Sequence, residues 1–270
     1  MPELPEVETT CRGLIPHVTG RQVTDLVVHQ GSLRIPVPEG LNDLVGQQIE
    51  SIHRRAKYLI FETKKGRMVI HLGMSGSLRI CDAAVSLRKH DHVVFELDTG
   101  QQMRYHDPRR FGLVDWTSGA WQEMRWFKEL GPEPLADDFG AAYLEEKARG
   151  RKGAVKTFIM TNQVVVGVGN IYACEALFMA GIHPNRAAGK ISRKRLRVLV
   201  EAIKDRLTAA ILSGGTTLRD FVREDGQPGY FKQELMVYGR EGEACRKCKS
   251  LIKRCIIGQR STFYCVKCQR

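Results

Sequence analysis

The sequence predicts an α+β protein of several domains: an N-terminal antiparallel β-sandwich with flanking helices, a helical domain and a small C-terminal finger. Three observations carry that reading. Between residues 23 and 105, short β-branched or alternating runs are separated by turn residues. After Leu130-Gly131-Pro132-Glu133-Pro134 the apolar residues recur at helical spacing instead. Residues 245–270 then hold Cys245, Cys248, Cys265 and Cys268 in the pattern C-x2-C-x16-C-x2-C. The expected divisions are 1–130, 131–235 and 236–270.

Each element has its own local reason. From Pro5 to Val18, residues Val7, Cys11, Leu14, Ile15 and Val18 mark one face of an amphipathic helix that Gly20 closes. Strands are expected at Val23–His29, Tyr58–Thr63, Met68–Leu72, Ser77–Ile80, His92–Leu97 and Gln102–Tyr105, with turns at Lys65-Gly66 and Thr99-Gly100. Their connections include Arg54-Arg55-Ala56-Lys57, Gly73-Met74-Ser75-Gly76 and Asp107-Pro108-Arg109-Arg110-Phe111-Gly112. Helices are expected at Asp137–Arg149, Gly153–Thr161 and Asn170–Ala180. A long fourth, capped by Ser192 and ended by Gly214-Gly215, lines up Leu196, Leu199, Val200, Ile203, Leu207 and Ile211. Thr216–Phe231 reads as a short helix followed by a mobile loop.

Composition narrows the partner. The 270 residues carry a net charge of +12, which favours a polyanion. Residues 245–270 contain eight Lys/Arg and no Asp/Glu, so a tenth of the chain holds two thirds of that excess. No apolar run approaches a membrane span, and the N-terminus lacks a signal-peptide pattern, so a cytoplasmic, membrane-free protein is expected. In that compartment eight cysteines argue against a disulfide framework. Two C-x-x-C turns instead present four thiolates to one structural Zn2+, a closed tetrahedral site. Cys11, Cys81 and Cys174 read as small core residues, and Cys255 as a bystander within the finger.

The opening Met1-Pro2-Glu3 offers chemistry. Removal of Met1 leaves Pro2 with a secondary amine titrating near ~8, against ~10.4 for lysine. Condensed with a sugar C1′, such an amine can only give an iminium, an electron sink that acidifies the C2′ hydrogen. Glu3 is placed to shuttle the proton that ring opening requires. The same residues also suit an ordinary mobile terminus. Gly167-Val168-Gly169-Asn170 opens a helix whose amides suit a phosphate, with Asn170 as cap or phosphate ligand. Met74 and Phe111 sit in Gly-flanked loops and read singly as core residues. Beside Arg109 they read as wedges that enter a base stack, with Arg109 hydrogen-bonding the widowed base. Arg54, Arg55 and Lys57 read as a solvated charged face.

Taken together, these motifs resemble the bacterial formamidopyrimidine-DNA glycosylases from end to end. The resemblance rests on Met1-Pro2-Glu3-Leu4-Pro5-Glu6-Val7-Glu8-Thr9, Asp107–Gly112, Gly167–Tyr172 and the finger with Gln259-Arg260-Ser261-Thr262-Phe263-Tyr264-Cys265. It implies a helix–two-turns–helix domain between sandwich and zinc finger, with double-stranded DNA across the cleft. It further implies a monomer that excises 8-oxoguanine and formamidopyrimidines and then cuts abasic sites by β,δ-elimination. By match of motif, Pro2 is the Schiff-base nucleophile, Glu3 the proton donor, Lys57 the β-elimination lysine and Arg260 the δ-elimination arginine. His90, Arg109 and Arg151 match DNA contacts, Lys156 and Asn170 phosphate contacts, and Thr216–Tyr230 the loop that closes over the extruded base. Thr161, Cys174 and Ser250 depart from the family pattern, which bears on local packing. Two alternatives remain: an endonuclease VIII-like enzyme for oxidised pyrimidines, and a zinc-ribbon DNA-binding protein without catalysis.

Overall fold

The computed structural model describes residues 2–214 and 235–270. The expected loop at Thr216–Tyr230, and Gly215 before it, lie outside the described residues. The chain divides into two compact units, one spanning Met1–Lys128 and the other Glu129–Leu212 with Gln233–Arg270.

The first unit begins with α1 (Leu4–Val18) and continues through eight strands, all paired antiparallel. These are β1 (Val23–Val28), β2 (Ser51–Arg55), β3 (Tyr58–Glu62), β4 (Arg67–His71), β5 (Ser77–Asp82), β6 (Asp91–Leu97), β7 (Gln101–His106) and β8 (Leu113–Thr117). They form two four-stranded sheets, ordered β1-β6-β7-β5 and β2-β3-β4-β8. Val93, Phe95, Met103 and Tyr105 of one sheet share a core with Leu59, Phe61, Met68 and Ile70 of the other. Val7, Cys11, Leu14 and Val18 bring the apolar face of α1 into that core. Burial pushes the Cys11 thiol up to about 12, in keeping with an inert core residue. Cys81 is only partly buried on β5.

Two strands were hidden in the sequence. β2 covers Arg54 and Arg55, which the charge pattern assigned to a connection, and β8 follows the Asp107–Gly112 loop directly. Neither shows a clear two-residue alternation, because tertiary pairing rather than local pattern fixes it. Arg54 is also no part of a solvated face. Its side chain is 10% exposed, with Nε on Glu8 at 2.8 Å and Nη1 on the carbonyl of Ala56 at 2.9 Å.

The second unit contains α2 (Ala141–Ala148), α3 (Val155–Ile159), α4 (Asn170–Met179) and α5 (Arg193–Leu212), then the hairpin β9 (Ile252–Ile257) and β10 (Arg260–Cys265). α2 starts four residues later than expected, with Gly140 as its N-cap. α4 is tied to the finger by two means. Cys174 and Phe178 pack against Val237, Cys245, Ile252 and Cys265. Between them on the helix, the wholly buried Glu175 carboxyl group accepts the amides of Met236, Val237 and Tyr238 at 2.8–2.9 Å. Among the described residues, no helix is long and apolar enough to cross a membrane.

Candidate functional site

The backbone at Pro2 and Glu3 is held in place. Pro2 is buried and Glu3, 3% exposed, is the N-cap of α1. Glu6 accepts the Glu3 amide at 2.8 Å in a capping box, which satisfies a helix-end donor and fixes the backbone beside Pro2. Lys57 lies half-buried in the two-residue turn between β2 and β3. Its neighbour Ala56 has φ 53°, a left-handed conformation that costs about 1 kcal/mol or more. Arg54 steadies that turn and joins it to α1 through Glu8. Burial opposes ionisation of Glu8, but hydrogen bonds from Arg54 and Arg12 outweigh it and hold the carboxyl below its usual range. The helix bearing Pro2 and the turn bearing Lys57 are thus coupled through one guanidinium.

The two Gly-flanked loops are packed backbone on backbone. A Cβ at Gly73, itself at φ 64°, would meet the Gly112 nitrogen at 2.3 Å. One at Gly112 would meet the Tyr105 hydroxyl at 1.9 Å. Only glycines allow this approach, and it brings Met74 and Phe111 to one recess of about 270 Å³ with Arg34, His71 and Gly73. Asp107, fully buried, shapes the loop from beneath. Its carboxyl oxygens accept the Gly112 amide at 2.9 Å, the Ser75 and Tyr105 hydroxyls at 3.2 Å and the Arg109 amide at 3.3 Å. Phe111 is left 51% exposed, and the Arg109 guanidinium lies 5.0 Å from its ring centre. A solvent-facing phenyl ring does not belong to the core; Met74 is half-buried at its side.

His71 also faces this recess. Burial, then the charges of Lys57 and Arg34, push its imidazole down to about 3, so it is neutral at pH 7. Its Nδ1 accepts the Gly73 amide at 2.9 Å, which leaves the ring proton on Nε2. His90 stands at the start of β6, its ring 5.9 Å from those of His92 and His106. Partial desolvation, then electrostatic repulsion from those rings and Lys89, lowers its pKa.

In the second unit, Gly169 rather than Asn170 occupies the N-cap of α4. Asn170 instead donates to the Ser261 carbonyl at 2.9 Å and accepts from Lys156 Nζ at 2.5 Å. Lys156 is wholly buried, and its ammonium also reaches Thr262 Oγ1 at 2.7 Å. The pair therefore braces the strand that starts at Arg260. Arg260 is exposed beside the turn Gly258-Gln259, where φ values of 56° and 59° match the twist of a two-residue hairpin. Arg151 is exposed between two surface recesses that also hold Lys147, Lys152 and Lys190.

Cys245, Cys248, Cys265 and Cys268 converge with every Sγ within 4.8 Å of the others. The Cys248–Cys265 and Cys245–Cys268 separations are 3.4 and 3.9 Å. A tetrahedron with metal–sulfur bonds of ~2.3 Å has edges of about 3.8 Å, so the four could hold a metal ion with no position left open. Ser250, a departure from the expected pattern, has a use: hydrogen bonds from its amide and then its hydroxyl lower the Cys248 thiol to about 6. Cys255 lies on β9 opposite Thr262, outside the cluster.

Comparison with known proteins decides the family. The formamidopyrimidine-DNA glycosylase N-terminal domain model matches residues 1–114, and the H2TH domain model matches residues 130–222. The chain belongs to the formamidopyrimidine-DNA glycosylase family. The glycosylases of Alcanivorax borkumensis and Thioalkalivibrio sulfidiphilus are each 55% identical to it over all of both chains. The Lactococcus lactis enzyme bound to abasic-site DNA superposes with a TM-score of 0.92 at 33% identity, covering both chains fully. MutM from Thermus thermophilus gives 0.89 at 35% identity over 99% of this chain and 98% of its own.

For a glycosylase of this family, sequence reading missed the residues that hold others in place. Asp107 sat inside a recognised motif and Glu175 inside an expected helix, each with no role assigned. His71 and Arg34 gave little signal: one ends a strand and the other lies in an irregular stretch. The loop expected to close over an extruded base lies outside the described residues.

Proposed function

We propose that this glycosylase removes oxidised purines, 8-oxoguanine and formamidopyrimidines, from double-stranded DNA in base-excision repair and then cuts the strand at the abasic site. The observation that carries the reading is the Pro2-Glu3 terminus, buried and capped at the head of α1 in a chain of this family. Relatives in complex with abasic-site DNA, with Fapy-dG DNA and with carbocyclic 8-oxo-G DNA support the substrate class.

Chemistry begins once Met1 is removed. A target atom inside a stacked duplex is out of reach, so the damaged nucleotide is flipped out. Phe111 and Met74 fill the gap while Arg109 pairs with the base left behind. Pro2 nitrogen attacks C1′, the C1′–base bond breaks, and the base leaves with its electron pair and a proton. Glu3 delivers the proton that opens the sugar ring, giving an iminium between Pro2 and C1′. Loss of the acidified C2′ proton then expels the 3′ phosphate, with Lys57 assisting. A second elimination, assisted by Arg260, removes the C4′ proton and expels the 5′ phosphate, and water then hydrolyses the Pro2–sugar iminium to free the amine.

His90 and Arg151 contact DNA directly, and Asn170 reaches a phosphate. Lys156 acts through Asn170 and Thr262, because it is wholly buried. Zn2+ is the ion suited to four thiolates, and its role is to hold the finger that carries Arg260. The protein works as a monomer in the cytoplasm.

Excision from duplexes carrying 8-oxoguanine or an oxidised pyrimidine opposite each base tests the reading. Release of 8-oxoguanine opposite cytosine is expected. Activity confined to the oxidised pyrimidine would replace it with the endonuclease VIII-like alternative.

A further inference from the structure

The recess beside the wedge contains a cation that the chemistry above does not use. Arg34 lies in the turn after β1, where Leu33 is buried in the sandwich core and Val37 packs against it. Its amide donates to the Gly112 carbonyl at 3.0 Å, so its backbone is tied to the wedge loop itself. The side chain is exposed and lines the recess with His71, Gly73, Met74 and Phe111. Among the described residues it has no acidic partner. A solvent-facing arginine of this kind ordinarily samples many rotamers.

This one is held. Its Cζ lies 5.7 Å from the ring centre of Trp126, within cation–π range. That indole is fixed in turn, because Nε1 donates to Asp115 Oδ2 at 2.7 Å. The Arg125 guanidinium lies 4.2 Å from the same ring and likewise has no acidic partner among the described residues. One indole thus supports two arginines, and the one in the recess is oriented before any ligand arrives.

The recess offers donors and no acceptor side chain: the Arg34 guanidinium, the Nε2–H of neutral His71, and apolar walls from Met74 and Phe111. A base edge mixes donors and acceptors, whereas a phosphodiester presents acceptors alone. We propose that Arg34, oriented by Trp126, binds a phosphodiester of the DNA strand next to the wedge. Trp126 is a positioning residue for that contact. The proposal rests on the glycosylase reading above and adds to it a phosphate contact on the sandwich side.

The test is equilibrium binding to a duplex with a tetrahydrofuran abasic analogue opposite each base, measured from 50 to 200 mM salt. Full-length wild type, Arg34→Gln, Trp126→Leu and Trp126→Phe are compared. Loss of one phosphate contact lowers the slope of log affinity against log salt by about 0.9, so the gap between Arg34→Gln and wild type narrows about 3- to 4-fold over that range. Trp126→Leu is expected to weaken binding in the same direction, and Trp126→Phe, which keeps an aromatic face, to recover most of it. Opposite-base preference stays as in wild type. An unchanged slope in Arg34→Gln overturns the proposal. A changed opposite-base preference at an unchanged slope overturns it in favour of base reading, and equal behaviour of the Leu and Phe variants removes the role of Trp126. Borohydride trapping of wild type on abasic DNA separates the two levels: no adduct there refutes the glycosylase reading, whatever Arg34 does.

Discussion

Arg109 and Arg260 are both exposed arginines on short loops, and the molecule holds them by opposite means. Arg109 rises from a loop whose form is specified many times over: four donors on Asp107, two glycines in backbone contact, and a large two-sheet core beneath. Arg260 stands on a small hairpin whose core sets the four cysteines among Val237, Ile252 and Phe263, joined to α4 through Cys174, Phe178 and Glu175 and braced by Lys156 and Asn170. Redundant support makes a fault at the wedge local. Support that passes through one small core organised by four thiols makes a fault in the finger global to it. A segment this small cannot bury enough apolar surface to fold unaided, which is the physical reason for the difference.

The sharpest way to break this comparison is at the finger. Cys248→Ser is expected to release the metal and unfold the hairpin, displacing Arg260 together with the other cations of residues 245–270. DNA binding should fall for damaged and undamaged duplexes alike, with a clearly shallower salt dependence, while the sandwich keeps its thermal transition. Metal analysis beside a binding series checks this. Stoichiometric zinc with full activity would remove the four-cysteine assignment.

A smaller and more local effect is expected at the wedge. Asp107→Ala leaves several buried donors unpaired, each costing about 1–3 kcal/mol, so the sandwich should lose several kcal/mol yet remain folded. Excision of 8-oxoguanine and preference for the opposite base should fall more than cleavage of a preformed abasic site. Equal losses on both substrates would show that the loop does not serve the extrusion step.

The smallest effect concerns pH. The folded protein keeps His71 neutral down to about 3, whereas the unfolded chain takes up a proton below about 6.5. Acid therefore favours unfolding, by up to about 1.4 kcal/mol per pH unit as pH falls well below 6.5. His71→Gln should flatten this limb of the stability profile between pH 6.5 and 4.5. An identical acid limb in both proteins would show that His71 is not held neutral by the fold.

The same comparison shows what the sequence made legible. The four-cysteine cluster was legible as a local pattern, and Pro2-Glu3 and the Asp107–Gly112 run stand out in the sequence because their residue types carry their own chemical logic. Helices and most strands followed from periodicity. What stayed hidden depends on contacts far apart in the chain. Arg54 reads as surface charge until β2 pairs and Glu8 of α1 reaches it. Lys156 reads as a phosphate ligand until Thr262, more than a hundred residues on, closes over its ammonium. Trp126 carries no motif at all, and its use emerges only with Arg34 and Asp115 beside it.

The central claim is that the amine of Pro2 makes the covalent bond to C1′. Its most direct test is borohydride reduction on abasic DNA, followed by proteolysis and mass spectrometry of the cross-linked peptide. The account predicts that the nucleotide remnant sits on the peptide beginning at Pro2, and that a protein retaining an N-terminal extension gives no adduct. A remnant on Lys57 or another lysine, or full trapping by the extended protein, would contradict it.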